Sequence, residues 1–231
     1  MKVFQKLIFV FLMVLIVSCK STDSASSANR MALKNNYMNG SSIALYEGIN
    51  DTTFVKLKDF SGDFIFDMKY ATEDNFLKKK VYDCDDCYLR LKTIKSLMDA
   101  NAEFQLKGYR IKLFDCYRPL DIQKKMWEIV SNADYVADPK KGSIHNRGGA
   151  VDITLVDKDG KELEMGTTFD FFGPEASHNY QNFSNKIKEN RVYLKEVMLK
   201  HNFKSFDSEW WHYNLSESYK DKLSNFKWKC D

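Results

Sequence analysis

Apolar and polar positions alternate over Thr53 to Phe60 and over Phe64 to Tyr70, and a period of two predicts strands there. From Leu89 to Leu106 the apolar positions Leu89, Ile94, Leu97, Met98, Ala102 and Leu106 fall near helical spacing. Gly108 follows where a helix C-terminal glycine belongs. Tyr109 to Phe114 alternates again and predicts a strand running into Asp115-Cys116-Tyr117-Arg118-Pro119. Pro119 suits a helix start, and Leu120 to Val130 is amphipathic through Ile122, Met126, Trp127 and Val130. Val151 to Val156 is a further strand. Asp157-Lys158-Asp159-Gly160 reads as a hairpin turn, with Glu162 to Met165 as the returning strand. An aromatic loop at 167–173 precedes a helix over Asn182 to His201, whose buried set is Phe183, Ile187, Val192, Leu194, Val197 and Met198. Phe203 to Phe206 is short, Glu209 to Leu215 is an aromatic strand, and the polar segment from Ser216 packs on the outside. Strands and helices mix without strict alternation and without an internal repeat. That predicts an α+β single domain with a mainly antiparallel central sheet flanked by helices.

The ends of the chain add an address. Lys2 and Lys6 precede the apolar run Leu7 to Val17, too short for a stop-transfer helix, and Ile16-Val17-Ser18-Cys19 resembles a bacterial lipobox. Residues 1–18 therefore read as a lipoprotein signal peptide and 19–45 as a flexible tether rich in Ser, Asn, Ala and Lys. Residues 46–231 form the folded domain. A lipid on Cys19 would hold that domain at a membrane of the bacterial cell envelope, facing the periplasm.

Composition excludes more than it assigns. With 231 residues, 44% hydrophobic, the chain supports one well-cored domain. The net charge of +3 falls to about +1 once Lys2 and Lys6 are removed, and no basic stripe with interleaved aromatics exists to bind nucleic acid. No obligate protein partner is implied. Cys84, Cys87, Cys116 and Cys230 remain beyond Cys19. Export favours one or two disulfides over a metal or redox role for the Cys84/Cys87 pair; all three pairings stay open, with Cys230 placed to staple the C-terminus.

Chemistry gathers in two stretches. Gly142-Ser143-Ile144-His145-Asn146-Arg147-Gly148-Gly149-Ala150-Val151-Asp152 holds a His and an Asp seven positions apart, with small residues between them that let the chain double back. Glu209-Trp210-Trp211-His212 supplies a second imidazole and a spare carboxylate. Two imidazoles, a ligating carboxylate and a base are the inventory of a hydrolytic zinc site. Positions three apart on a strand face opposite ways, so Glu209 must sit at the strand entry or a bend to reach the cavity of His212. Arg118, at a strand-to-helix junction, is either a functional cation or a partner for Asp115 or Asp121. His201 ends a helix and reads as structural; His178 is a loop or pocket residue.

These motifs, in this order, resemble the D-alanyl-D-alanine dipeptidases, the VanX-type zinc peptidases, within a wider group that holds D,D-carboxypeptidases and the hedgehog signalling domain. The match runs through Lys69-Tyr70-Ala71-Thr72, Cys87-Tyr88-Leu89-Arg90, Asp115 with Tyr117-Arg118-Pro119, the His145 stretch, Met165-Gly166-Thr167, Phe169-Asp170 and Glu209-Trp210-Trp211-His212-Tyr213. The resemblance implies a hedgehog/D,D-peptidase-like fold. It implies one zinc on His145, Asp152 and His212, with Glu209 as general base and Arg118 stabilising the oxyanion. It further implies Asp170, Tyr70 and Ser143 as binding residues for a small D,D-dipeptide, Asp170 at the ammonium end. Cys116 departs from a position where a small residue is common, Cys84 and Cys230 are extra, and the lipoprotein signal departs from cytoplasmic members. The rival readings are a related zinc peptidase that cuts longer peptidoglycan stems and a zinc-containing cell-wall-binding lipoprotein without turnover.

Overall fold

The computed structural model describes residues 46–230, so the expected signal peptide and tether lie outside the described residues. Five strands form the main sheet in the order β2 (Ile65–Phe66), β4 (Arg110–Asp115), β5 (Ala150–Val156), β7 (Glu209–Leu215), β6 (Phe203–Phe206). Only the β2–β4 pairing is parallel; the other three are antiparallel, which makes this the α+β architecture with a mainly antiparallel sheet that the pattern predicts. A two-stranded ribbon, β1 (Phe54–Lys56) with β3 (Tyr88–Arg90), lies apart from it. Every residue of β5 is buried, as expected for the middle strand of a covered sheet. Helices α1 (Leu91–Gln105) and α3 (Asn185–Lys200) contribute Ile94, Leu97, Ala100, Phe104, Leu194, Val197 and Met198 to the core around it. α2 (Leu120–Ile129) packs Met126 into a smaller cluster with Tyr70, Leu77, Val81, Tyr82 and Val136. Among the described residues no helix is long and apolar enough to cross a membrane.

Several local expectations need correction. Alternation over Phe64 to Tyr70 yields only a two-residue strand, because Lys69–Ala71 closes into a 3-10 turn that buries Tyr70. Likewise the strand expected over Thr53 to Phe60 stops at Lys56 and turns at Leu57–Asp59. The segment expected to return at Glu162 to Met165 makes a single bridge, Val156 to Glu162, and no strand. α1 starts at Leu91, since Tyr88–Arg90 is taken by pairing with β1, and Leu106 at its end is exposed. In α3, which starts at Asn185, Val192 faces solvent and Arg191 takes the buried position beside it.

The cysteines pair as Cys84–Cys230 and Cys87–Cys116. The Cys84/Cys87 spacing therefore joins two different bridges and is not a redox or metal pair. The C-terminal segment does more than cover the outside. The Ser224 N–H donates to Asn146 O (2.9 Å) and its carbonyl accepts from Leu120 N–H (3.1 Å). Phe226 stacks on Phe54 at 5.1 Å.

Candidate metal centre and active site

The site is a row across the three central strands. Antiparallel pairing sets Asp115 of β4 opposite Asp152 of β5, and Asp152 opposite His212 of β7. Directly opposed residues share a face and stand close enough to touch. His145 arrives from the 3-10 turn His145–Arg147 immediately before β5. Gly148 ends that turn in the left-handed region at φ 72°, and its N–H donates to His145 O. A Cβ there would lie 2.4 Å from the Phe54 ring, so the doubling back needs glycine.

Three donors converge. His145 Nε2 lies 3.3 Å from His212 Nδ1 and 3.4 Å from Asp152 Oδ2, and His212 Nδ1 lies 2.9 Å from Asp152 Oδ1. The other nitrogen of each ring is committed elsewhere: His145 Nδ1 donates to Cys116 O (2.6 Å) and His212 Nε2 to Asn214 Oδ1 (2.9 Å). Those bonds select the tautomers that turn a bare lone pair inward on both rings. Two nitrogens and a carboxylate turned toward one point attract a cation, a proton or a metal, and the donor set fits a divalent metal. The charges agree. Burial pushes the Asp152 carboxyl up, but His145 and His212 together hold it well below the usual range. Burial pulls His212 down, and Asp152 more than offsets this.

Glu209 reaches the same cavity through a bulge. Ser205 pairs with Tyr213, yet the next residue, Phe206, pairs with Glu209, so the chain bends between them. Glu209 Oε2 lies 4.0 Å from His212 Nδ1. Burial raises its carboxyl above the usual value, Asp152 adds to the rise, and His212 and His145 oppose it.

Arg118 is buried, and its Nη2 donates to Asp115 Oδ2 at 2.6 Å and its Nη1 to Gln123 Oε1 at 3.1 Å. Its Nε–H is buried and has no hydrogen-bond partner. Burial works against the charge, but Asp115 keeps the guanidinium firmly protonated. Asp115 in turn accepts from Tyr82 Oη–H (2.8 Å) and lies 3.7 Å from His145 Nδ1, tying the cation to the metal row. The bridge at Cys116 leaves this arrangement intact and sits where Cys116 O orients His145.

Asp170 accepts from Tyr70 Oη–H at 2.8 Å, and Arg118 lies 5.3 Å above the Tyr70 ring. Asp170 adopts φ 55°, and burial followed by repulsion from Asp152 raises its carboxyl well above the usual range. It also lines a cavity of about 450 Å3 with Lys69, Phe76, Phe114 and Glu162. Ser143 is half-buried and directs its N–H and hydroxyl to Asn146 Oδ1 (2.7 and 3.2 Å). It is thus joined to the His145 turn, and the described contacts do not join it to Asp170. His178 and His201 lie outside the cluster; His201 pairs with Glu103 at 2.8 Å. Sequence reasoning passed over Gln123, Asn146 and Asn214. Asn214 carried a faint signal, as a polar residue two positions after His212 and so on the same face of the strand.

Fold and donor set together define a class: an α+β domain able to hold a divalent ion beside a basic carboxylate and a buried cation, the equipment of a hydrolase. Comparison with known proteins narrows the class. A family model described as D-ala-D-ala dipeptidase, Peptidase_M15, matches residues 50–229, and the chain belongs to that peptidase family. It is 34% identical over 184 residues to a D-alanyl-D-alanine dipeptidase of Escherichia coli (strain K12), covering 79% of this chain and 95% of that protein. A D-alanyl-D-alanine dipeptidase of Enterococcus faecalis is 32% identical over 186 residues, 70% of this chain and 91% of the relative.

Proposed function

We propose that this chain is a zinc-dependent D-Ala-D-Ala dipeptidase of the bacterial envelope, tethered through a lipid on Cys19. The observation that carries it is the convergence of His145, Asp152 and His212 with Glu209 at 4.0 Å, in a chain of this family. The donor separations of 2.9, 3.3 and 3.4 Å suit a tetrahedral ion, whose ligands at 2.0–2.1 Å stand roughly 3.3 Å apart. When bound, zinc supplies a Lewis acid for the scissile carbonyl and makes water a better nucleophile.

The chain's own residues do the rest. Glu209, more basic than an ordinary carboxylate, takes a proton from the attacking water and passes it to the departing amine. The Arg118 guanidinium is a fixed positive charge for the oxygen that gains charge, held by Asp115 and Gln123 so that little reorganisation is needed. Asp170 is half-buried, repelled by Asp152 and Glu209, and gains most from an arriving cation. The free ammonium of a dipeptide supplies one, with Tyr70 fixing the carboxylate. Ser143, joined to the His145 turn through Asn146, is the remaining residue of this reading that meets the dipeptide.

The cavity beside Asp170 favours the longer-stem peptidase as the second reading. A substrate panel separates the two: D-Ala-D-Ala should be cut, and its N-acetylated form and L isomers should be poor substrates. Efficient cleavage of the acetylated form would favour the longer-stem enzyme. Glu209→Gln should keep one zinc per chain and lose about 10^2 to 10^4 in kcat. Near-normal turnover in that variant would sink the base assignment.

A further inference from the structure

α3 carries none of the residues assigned above, yet it buries a charge. Arg191, near its middle, is 4% exposed, and among the described residues no carboxylate lies within ion-pair range of it. Its guanidinium donates to three main-chain carbonyls: Nε to Met165 O (2.6 Å), Nη1 to Ser177 O (2.9 Å) and Nη2 to Glu175 O (2.9 Å). Phe183 and Trp210 lie against it at 4.7 and 5.8 Å. A buried cation without a counter-charge is costly, and burial pulls its pKa down to about 10. Such a group persists where its geometry is needed.

The three carbonyls bracket one loop. Met165 stands at its start, Glu175 and Ser177 at its end, and Asp170 lies between. Asp170 turns the loop through the left-handed region (φ 55°), which Asp adopts more readily than most L-residues, and fixed loop ends set where that turn places its carboxylate. The start is fixed twice more. Trp210 Nε1 donates to Thr167 Oγ1 (2.8 Å), and at Gly166 (φ 84°) a Cβ would lie 2.6 Å from the Phe183 ring that packs on Arg191. Lysine offers a single ammonium and cannot span three carbonyls as the planar fork does.

We infer that Arg191 is a positioning residue for substrate selection: by clamping both ends of the 165–177 loop it sets where the Asp170 carboxylate meets the free amine of the substrate. This rests on the role proposed for Asp170. The clamp predicts damage to recognition more than to chemistry.

In the full-length, zinc-loaded enzyme, Arg191→Lys should raise KM for D-Ala-D-Ala about tenfold while kcat changes less than about threefold, the pattern of lost ground-state binding. Preference for D-Ala-D-Ala over its N-acetylated form should fall by a similar factor, and zinc per chain should not change. Amide exchange over 174–178, where the N–H groups of Ala176, Ser177 and His178 are hydrogen bonded, should quicken about tenfold if that end is released. Unchanged KM and selectivity, or equal loss of kcat with loss of zinc, would overturn the inference. Should Arg191→Lys fail to fold, Thr167→Val loosens the same loop and must show the same split. If the parent enzyme itself does not discriminate against the acetylated dipeptide, it is the Asp170 assignment that fails. The clamp then stands on faster exchange over 174–178 and falls if exchange is unchanged.

Discussion

At the residue scale, each donor in the centre is set by a partner that does not touch the reacting atoms. Cys116 O and Asn214 Oδ1 choose the tautomers of His145 and His212; Asp115 and Gln123 hold Arg118. His178 shows the opposite case. Its Nε2 is buried with no partner, it faces the Tyr213 ring, and burial, then the cations Lys195 and Arg191, lower its pKa to about 4 against weak help from Asp207. Because the folded value lies below the unfolded 6.5, the unfolded chain binds more protons between pH 6.5 and 4. Stability must therefore fall as pH drops through that window and be unaffected by this group above it. Discounted for partial exposure, the loss is about 1–2 kcal/mol. Urea unfolding across that range should show His178→Gln losing less stability than the parent; parallel curves would refute the assignment.

At the scale of elements, the site is made by a turn and two pairings. The His145 turn is packed so closely that a Cβ on Gly149 would lie 1.9 Å from Ser218 Oγ and 2.2 Å from its Cβ. Gly149→Ala should cost about 1–3 kcal/mol, as overpacking does, and should weaken metal retention by displacing His145 from β5. Gly160→Ala is the matched control: its turn is open, so a cost of about 1 kcal/mol from φ 82° should come with normal retention. Thermal melts with zinc content after dialysis against a weak chelator check both. The small residues around His145 were legible as permission for a tight turn. The bulge that brings Glu209 beside His212 was legible only as a requirement, because nothing in Phe206-Asp207-Ser208-Glu209 states where pairing resumes. The strand expected at Glu162 to Met165 failed for a related reason: a turn at Asp157–Gly160 reverses the chain, but it does not fix how far pairing continues, and here it stops at one bridge.

For the whole molecule, the C-terminal segment is a strap across the site's outer support. Arg147 Nη1 donates to Asp221 O, Ser224 bridges Asn146 and Leu120, and Cys84–Cys230 fastens the end. Cys230 is exposed and Cys84 half-buried, whereas both Cys87 and Cys116 are fully buried. A mild thiol reductant should therefore free two thiols well before four, as counted by alkylation and mass measurement. Removing the outer bridge as Cys84→Ser with Cys230→Ser should lower stability by about 2–4 kcal/mol, since it closes a long loop. Loss of all four thiols' protection together would show that the strap does not act separately.

The sequence by itself determined the α+β class, the three helices and most of the main-sheet strands, and the residue types of a hydrolytic metal site, because periodicity and donor chemistry are local properties. It could not say that Asp115, Asp152 and His212 form one row, which depends on strand register. Nor could it choose among three cysteine pairings or show a buried Arg191 gripping both ends of the Asp170 loop. Those are contacts between residues far apart in the chain, and only the packing of the sheet against its helices decides them.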